Sequence, residues 1–402
     1  MNALAMLEAR GFVQQCTNRD EVQRALDDGA VTFYIGFDPT ASSLHVGSLL
    51  QIMVMAWLQR YGHRPIAIIG AGTTLIGDPT GRTELRKMLS AEEIEANGQR
   101  IKSQIEHFLV LDGEKGLLLN NAEWLTQLNY LSFLRDIGKH FSVNRMMAAE
   151  GYKQRLARGL SFIEFNYQIL QAYDFLELYR RHGCTLQIGG DDQWGNIIAG
   201  SGLIRRCDQG AANGLTTPLI TTASGSKMGK TAKGAVWLDP TLCSPFDFYQ
   251  FWLNVDDADV IRFLKLYTFL DLEEIEKLGQ LRGADIREAK RVLARQITSQ
   301  LHGEEAMRAA ESAAANMTRG VASADMQTHA VGEDAKLVNI LADAKMEKSR
   351  GAARRLIQGG AVRVNGDKVT DVDLVLSDED LSGDGVVVRL GKKRAIRLVR
   401  KA

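Results

Sequence analysis

Two segments carry residue types that suit the phosphates of a nucleotide. In the first, YIGFDPTASSLHVGSLL (residues 34–50), the pattern predicts a strand that ends near Gly36, a loop, and a helix that begins near His45. Unpaired N–H groups at a helix start attract anions, and Gly47 allows a ligand to approach closely. On these residues alone, the simpler interpretation is an ordinary turn in which Ser43 caps the helix and His45 faces solvent.

The second segment is SGSKMGKT, residues 224–231. Its two lysines, Lys227 and Lys230, stand among glycines and hydroxyls and could clamp a polyphosphate. The glycine spacing differs from that of a P-loop, G-x-x-x-x-G-K-[ST]. Taken alone, the segment is more typical of a flexible surface loop.

The elements that must position these segments alternate between strand and helix. Apolar residues recur at helical spacing over residues 45–60, between two runs that are typical of buried strands, and two later runs have the same character. Strand, helix and strand in that order predict a parallel α/β sheet. The predicted strands are VTFYIGF (31–37), RPIAIIGAG (64–72), TLQIGG (185–190) and LTTPLIT (215–221).

The glycines that end the second predicted strand invite comparison with a dinucleotide-binding fingerprint. Gly70 and Gly72 fit its first two positions, but Leu75 stands where the third glycine belongs, and no helix clearly opens there. The pattern therefore gives only weak support to a dehydrogenase.

The remainder of the chain changes character twice. Residues 244–318 show helical periodicity without a strand signal, and residues 319–334 are small and polar, which predicts a linker. Beyond them, KSRGAARRLIQGGAVRVNGDKV (348–369) predicts a short basic helix, a Gly-Gly stop and a hairpin that turns at Asn365-Gly366.

Composition narrows the class of protein. The 402 residues are 45% hydrophobic and 24% charged, which excludes a collagen-like, low-complexity or wholly disordered chain. No apolar run is long enough to span a membrane, and the first residues do not resemble a signal peptide. The four cysteines form no CxxC pair, so we expect a reducing cytoplasm and no structural metal. Residues 336–402 hold 15 Lys and Arg against 9 Asp and Glu, which favours a polyanion such as nucleic acid as a partner, or else a solvated basic surface.

Taken together and in this order, the two phosphate segments resemble the HIGH and KMSKS signatures of class I aminoacyl-tRNA synthetases. The further segments GDPTGR, LRDIGKHFSVN, FIEFNYQILQAYDF, LQIGGDDQWGNI and GAVWLDP are similar to those of bacterial tyrosyl-tRNA synthetases, over almost the whole chain. The basic tail resembles the small RNA-binding module of the ribosomal S-four type.

The resemblance implies an α/β fold with a class I synthetase Rossmann-like parallel sheet, then an α-helical domain and a small α+β RNA-binding domain. It places a catalytic domain that binds tyrosine and ATP, and forms the dimer interface, at residues 1–225. The KMSKS-type loop and the helical anticodon-side domain would occupy 226–320, a linker 321–335, and the RNA-binding domain 336–402.

The resemblance also implies the reaction and its partners. L-tyrosine would react with ATP, accompanied by Mg²⁺, to give tyrosyl-adenylate and pyrophosphate, and the tyrosyl group would then pass to the 3′-terminal adenosine of tRNA(Tyr). The carboxylate of tyrosine is itself the nucleophile, so catalysis would consist of positioning and charge stabilisation. The expected assembly is a cytoplasmic homodimer with the segment around Phe162 at its interface, and no membrane is involved.

Site residues follow from the same resemblance. Tyr34 and Asp174 would meet the phenolic hydroxyl of the substrate, and Asp78, Tyr167, Gln171 and Gln193 would bind its ammonium and carboxylate groups. Independently, Tyr167, Gln171 and Asp174 are spaced to share one face of a predicted helix. The residues expected to bind ATP are Gly36, Asp38, Pro39, His45, Gly47, Ser48, Asp192 and Lys230. The expected catalytic residues are Thr40, His45, Lys227, Lys230, Thr231, Arg82 and Arg86. The expected RNA contacts are Arg205, Arg206, Lys348, Arg350, Arg354 and Arg355, with Lys392, Lys393 and Arg394 beside them.

Three positions depart from the family pattern. Ser48 replaces the last histidine of HIGH and cannot carry charge, Gly229 replaces a serine of KMSKS, and Asp191 replaces a serine and is expected to add negative charge near the nucleotide. Two alternatives remain open. One is a ligase for another aromatic amino acid, which would leave Tyr34 and Asp174 unpaired, and the other is a non-catalytic RNA-binding homologue.

Overall fold

A computed structural model describes residues 1–80, 89–148, 150–156, 159–223, 225, 228, 230–231, 234–319, 328–383, 385–391 and 394–401. Of residues 150, 151, 154, 230, 231, 318 and 319 it describes the backbone only. The helices are α1 Ala3–Arg10, α2 Arg19–Asp28, α3 Val46–Arg60, α4 Ala71–Thr74, α5 Ala91–Glu106, α6 Ala122–Leu125, α7 Tyr130–Asp136, α8 Val143–Ala148, α9 Glu150–Leu156, α10 Phe162–His182, α11 Trp194–Asp208, α12 Pro245–Leu253, α13 Val260–Tyr267, α14 Leu272–Leu278, α15 Ile286–Arg319, α16 Leu337–Asp343, α17 Arg350–Gln358 and α18 Asp378–Leu381. The strands are β1 Gln15–Cys16, β2 Thr32–Phe37, β3 Arg64–Ile69, β4 Leu117–Asn120, β5 Cys184–Gly190, β6 Asn213–Thr217, β7 Lys230–Thr231, β8 Gly234–Ala235, β9 Thr328–Val331, β10 Val362–Val364, β11 Asp367–Val369, β12 Val386–Leu390 and β13 Arg394–Arg400.

The described residues form two compact units. The first comprises Met1–Cys243 and Asp256–Ala289, and the second comprises Ser244–Val255 and Lys290–Ala402. Residues 256–289 therefore pack with the first unit. The three functional domains and the linker that the family resemblance implies stay a prediction.

A parallel sheet organises the first unit, as the strand–helix–strand pattern predicts. Its order is β1-β6-β5-β2-β3-β4, and every neighbouring pair is parallel except β1 with β6. From β2 the chain proceeds outward through β3 and β4, whereas β5 and β6 lie on the other side of β2. The order of the strands thus reverses between β2 and β5, the place where ligands bind in open α/β sheets.

The long helix α10 carries several predicted site residues, and its ends are well defined. Ser161 and Glu164 form a reciprocal capping box at its start, and Gly183, at φ 62°, ends it. The helix packs on β5 and α11, and its buried residues include Ala172 and Phe175. These contacts fix the helix against the sheet and so fix the side chains that point to the strand ends.

Three elements differ from the sequence predictions. A short helix, α4, opens directly after Gly70, where the sequence pattern predicts no clear helix start. Strand β6 ends at Thr217, four residues before the predicted end at 221. Within the predicted linker, β9 forms a strand because its backbone pairs in parallel with β13.

The second unit contains a five-stranded sheet in the order β11-β10-β12-β13-β9. The predicted basic helix is α17, and the hairpin of β10 and β11 turns at Asn365 and Gly366, whose φ angles are 49° and 93°. Positive φ at both central residues is typical of a type I′ turn, which explains the Asn-Gly pair. In the described part of the chain, no helix is both long and apolar enough to cross a membrane.

Candidate active site

A cavity of about 210 Å³ opens at the carboxyl ends of β2, β3 and β5, where the strand order reverses. It is lined by residues from six separate parts of the first unit, which the sheet brings together. Among the predicted site residues, the lining includes Tyr34, Gly36, Asp38, Asp78, Tyr167, Gln171, Asp174 and Gln193. Tyr167, Gln171 and Asp174 do share one face of α10, as their spacing predicts.

At one end of the cavity, Asp174 is buried, with 4% of its surface exposed. The indole N–H of Trp124 donates to its Oδ1 at 2.7 Å, and Nδ2 of Asn121 donates to its Oδ2 at 3.0 Å. The pKa of Asp174 is raised to about 7, chiefly by burial; the two hydrogen bonds act to lower it, and the charges of Asp38 and Glu177 act with burial to raise it. The carboxyl group is thus poised between a hydrogen-bond acceptor and a donor near neutral pH.

Tyr34, on β2, lies beside the carboxyl group of Asp174. The centre of its ring is 5.3 Å from the centre of the Phe175 ring. Burial raises the pKa of its hydroxyl well above the ordinary value, and the charge of Asp174 raises it further. The hydroxyl oxygen is buried and has no hydrogen-bond partner among the residues that the structure describes. Buried polar atoms are nearly always paired, so an orphaned hydroxyl lining a cavity indicates that a ligand supplies the partner.

A hydrogen-bonded chain runs from Asp174 to the opposite wall. Asn121 Nδ2 donates to Thr73 Oγ1 at 3.0 Å, and Thr73 Oγ1 donates to Asp38 Oδ1 at 2.8 Å. The hydroxyl of Tyr167 donates to the other oxygen of Asp38 at 2.9 Å. A Cβ on Gly70 would lie 2.1 Å from Asp38 Oδ1, so glycine is required there by the position of this carboxylate.

A second network surrounds Asp78. Thr80 donates to it through both its N–H and its hydroxyl, and Gln193 Nε2 donates to Asp78 Oδ2 at 2.8 Å. Asn196 joins the two glutamines by donating to Gln193 Oε1 at 2.9 Å and to Gln171 Oε1 at 3.0 Å. These contacts hold a carboxylate and two carboxamides together, a set suited to the charged groups of an amino acid.

The start of α3 lies next to the described part of the lysine segment. Backbone hydrogen bonds join Val46 to Val236 and Leu238 to Leu44, and the backbone oxygen of Met228 would lie 3.9 Å from a Cβ on Gly47. Pro39 and Thr40 belong to the preceding loop, where the backbone N–H of Thr40 donates to the backbone oxygen of Asp38 at 2.8 Å. The fold thus brings residues 45–48, which match the HIGH signature, close to the segment around residue 228.

His45, rather than Ser43, caps α3. Its Nδ1 accepts the N–H of Gly47 at 3.0 Å and that of Ser48 at 3.3 Å, whereas Ser43 is buried and donates to the oxygen of Leu44. A Cβ on Gly47 would lie 2.7 Å from the imidazole, so Gly47 makes room for this cap. Because Nδ1 accepts, the proton of the neutral ring is on Nε2, which is then the donor that the ring can offer a ligand.

The two aspartates that follow β5 line a second cavity, of about 990 Å³, and not the first. Asp191 Oδ1 accepts from Gln15 Nε2 at 2.7 Å and from Thr216 Oγ1 at 2.8 Å. Asp191, which stands where the family pattern favours a serine, thus links β1 and β6 to the turn after β5 through hydrogen bonds. Arg206 also lines this second cavity.

The remaining predicted residues divide into two groups. Arg82, Arg86, Lys227, Lys392 and Lys393 lie outside the described residues, and of Lys230 and Thr231 only the backbone of β7 is described. The basic side chains predicted to contact RNA, Arg205, Arg206, Lys348, Arg350, Arg354 and Arg355, are exposed. Arg394 bonds to the backbone oxygen of Met346 and to Glu347.

Thr73, Asn121, Trp124 and Asn196 contribute to the site but were not identified from the sequence. Asn121 and Trp124 follow the short strand β4, which the sequence analysis did not predict. The available signal was the apolar run Leu117–Leu119 followed directly by Asn120 and Asn121, the pattern of a strand that ends in polar residues at a sheet edge.

Comparison with known proteins gives consistent results. Residues 26–318 match the family described as tRNA synthetases class I (W and Y), and residues 316–397 match the tyrosine–tRNA ligase SYY-like C-terminal domain. The chain is 50% identical over 407 residues to a tyrosine–tRNA ligase from Caldanaerobacter subterraneus subsp. tengcongensis, covering 100% of each chain. It is 49% identical over 404 residues to one from Clostridium botulinum, covering 99% of each. Among solved structures, it resembles a C-terminally truncated mitochondrial tyrosyl-tRNA synthetase from Aspergillus nidulans, with 31% identity, a TM-score of 0.70, and coverage of 77% of this chain and 92% of that one.

Proposed function

The chain belongs to the tyrosine–tRNA ligases, within the class I synthetases for tryptophan and tyrosine, and on that premise we propose that it activates L-tyrosine with ATP and transfers the tyrosyl group to tRNA(Tyr). The observation that carries the proposal is the orphaned, buried hydroxyl of Tyr34 beside the buried carboxyl of Asp174. A phenolic hydroxyl donates to Asp174 and accepts from Tyr34. Phenylalanine offers no acceptor for the Tyr34 hydroxyl and no donor for Asp174, and the indole N–H of tryptophan can donate but not accept, which is the physical basis for rejecting them.

The other end of tyrosine meets the second network. The ammonium group bonds to Asp78, with Tyr167 and Gln171 on α10 as its further acceptors, and Gln193 contacts the carboxylate. In the activation step, a carboxylate oxygen of tyrosine attacks the α-phosphorus of ATP, and the bond to the bridging oxygen breaks as pyrophosphate leaves. Holding both reactants in this geometry replaces any need for a protein nucleophile.

ATP occupies the strand ends near Gly36 and Asp38 and the start of α3. There the Nε2 proton of His45 and the hydroxyl of Thr40 donate to phosphate oxygens as negative charge moves to the pyrophosphate. Further contacts with ATP are proposed from the family resemblance for Pro39, Gly47, Ser48, Asp192 and Lys230. Lys227, Lys230, Thr231, Arg82 and Arg86 are proposed on the same ground to bind the leaving pyrophosphate. Mg²⁺ enters as part of the ATP substrate and not as a resident ion of the protein.

In the transfer step, a hydroxyl of the terminal adenosine of the tRNA attacks the carbonyl carbon of tyrosyl-adenylate, and AMP leaves. Arg205 and Arg206 on α11, together with the basic residues of α17, are proposed to bind tRNA phosphates, because exposed arginines release counterions when they neutralise a polyanion. From this function we propose that the protein acts in the cytoplasm.

We also propose that two copies of the chain form a homodimer. Phe162, at the start of α10, is 71% exposed, and the adjacent Ile163 is 41% exposed. Large apolar side chains exposed next to each other are typical of a contact surface. A charged substitution, Phe162→Asp, should shift the mass measured by light scattering from two chains to one.

Charging of tRNA(Tyr) with labelled tyrosine tests the proposal directly. The wild-type protein should charge tRNA(Tyr), and Arg206→Glu should reduce charging while leaving the tyrosine-dependent exchange of ATP and pyrophosphate unchanged. Absence of charging by folded wild-type protein would support the non-catalytic RNA-binding alternative instead.

A further inference from the structure

Trp124 contacts two charged groups on α10 from different sides. Its ring N–H donates to Asp174, and the guanidinium carbon of Arg181 lies 5.5 Å from the centre of its ring system. This distance is within the range of a cation–π contact. Trp124 itself is buried, so the arrangement extends from the cavity to the protein surface.

Arg181 in turn pairs with Glu177, one helical turn earlier. Its Nη2 lies 2.6 Å from Glu177 Oε2, and the side chains are 50% and 10% exposed respectively. Glu177 also bonds to the hydroxyl of Tyr173, whose ring packs edge-on against Phe133 at 5.3 Å. The carboxylate of Glu177 is therefore held in place near the outer turn of α10.

Charge links this pair to the cavity. Glu177 follows Asp174 by three residues on the same helix, so their side chains are neighbours. Three charged or titratable groups act on Asp174: Tyr34 from β2, Asp38 from the loop that follows β2, and Glu177 from α10. Two neutral groups donate hydrogen bonds to it, Asn121 at the start of α6 and Trp124 within α6. Glu177 disfavours the charged form of Asp174, and the cation of Arg181 offsets Glu177.

We propose that Glu177 and Arg181 are positioning residues for selection of the phenolic substrate. Arg181 holds the Trp124 ring so that its N–H stays on Asp174, and its charge offsets that of Glu177, which keeps Asp174 a hydrogen-bond acceptor for a substrate hydroxyl. The inference rests on the proposed function, because it concerns how the site for that substrate is maintained.

The test compares Arg181→Gln, Glu177→Gln and the double variant by ATP–pyrophosphate exchange, with tyrosine and with phenylalanine, between pH 5.5 and 9. Arg181→Gln should move the acid limb of kcat/KM for tyrosine to higher pH. It should also lower the preference for tyrosine over phenylalanine at pH 7 by about two- to fivefold, the fold-change that corresponds to an exposed cation–π contact. Glu177→Gln should move the limb to lower pH, and the double variant should return it close to the wild-type position.

Arg180→Gln is the matched control. Arg180 lies next in the chain on the same helix and pairs with Asp208 at 2.7 Å, with a similar exposure of 42%, whereas the cation–π contact with Trp124 is made by Arg181. Because the charge of Arg180 also acts on Glu177, its loss should move the acid limb less than the loss of Arg181 does, and it should leave the preference for tyrosine unchanged. A merely structural role of either arginine would affect both variants alike.

The outcomes are distinct. If Arg181→Gln and Arg180→Gln give the same profile and the same preference as the wild type, the inference is wrong and the proposed function stands. If the wild-type protein shows no exchange with tyrosine, the proposed function fails and the inference fails with it.

Discussion

Replacing Tyr34 by phenylalanine should change stability and substrate selection in opposite directions. The substitution removes one oxygen that is buried and has no hydrogen-bond partner in the described part of the chain, and it leaves the ring in place against Phe175. An unpaired buried polar group costs about 1–3 kcal/mol, so the free energy of unfolding should rise by an amount of that order. The lost contact to the substrate hydroxyl should cost about 0.5–1.5 kcal/mol, or roughly two- to tenfold in kcat/KM for tyrosine.

Tyr152 provides the matched control. It is as deeply buried as Tyr34, but its hydroxyl donates to the oxygen of Phe165 at 3.1 Å and accepts from the N–H of Gln168 at 3.3 Å. Tyr152→Phe should therefore lower the free energy of unfolding by about 1 kcal/mol. Thermal and denaturant unfolding measure the stability of both variants, and ATP–pyrophosphate exchange with tyrosine and phenylalanine measures selection.

Two results would refute this reasoning. If Tyr34→Phe destabilises the protein as much as Tyr152→Phe does, the hydroxyl of Tyr34 has a structural partner in solution. If the variant prefers tyrosine over phenylalanine as strongly as the wild type, the hydroxyl of Tyr34 does not meet the substrate.

Three further predictions follow from buried charged groups. Because burial raises the pKa of Asp174 to about 7, the KM for tyrosine should rise as the pH falls from 8 to 6 while the KM for ATP changes little; a parallel rise of both would point elsewhere. Asp174 keeps a proton in the folded chain, whereas in the unfolded chain the same group releases its proton above pH 3.8. Its contribution to the free energy of unfolding is therefore full below pH 3.8 and is lost as the pH rises through about 7. Unfolding of the wild-type protein, measured as a function of pH, checks this. Arg155 and Glu164 form an ion pair 3.1 Å apart that is almost wholly buried, so Arg155→Leu should lower the free energy of unfolding by about 3–5 kcal/mol. Arg19→Leu, which breaks the exposed pair with Glu8, should change it by at most about 1 kcal/mol, and equal effects in thermal unfolding would contradict the argument.

The sequence predicts the sheet and one wall of the cavity because both depend on periodicity. Strands β2, β3 and β5 are apolar runs with clear ends, and the spacing of Tyr167, Gln171 and Asp174 suffices to place their side chains on one face of a helix. Whether each residue has the role that the family resemblance implies stays a prediction, to be decided by the substitutions above.

The residues that hold Asp174 in place could not be predicted in the same way. Asn121 follows a short strand and Trp124 lies in a four-residue helix, and the contacts of both with α10 are made only when the chain folds. The cap of α3 shows the same limit of local patterns, since Ser43 is the better capping residue by type, but Gln104 and Asp239 bond to its hydroxyl and His45 takes its place.

Amino-acid-dependent ATP–pyrophosphate exchange, run in parallel with tyrosine, phenylalanine and tryptophan, tests the central claim most directly. The arrangement of Tyr34 and Asp174 predicts strong exchange with tyrosine alone. Strong exchange with phenylalanine or tryptophan would contradict the assignment of these two residues to a substrate hydroxyl, and no exchange with any of the three would contradict the proposed activity itself.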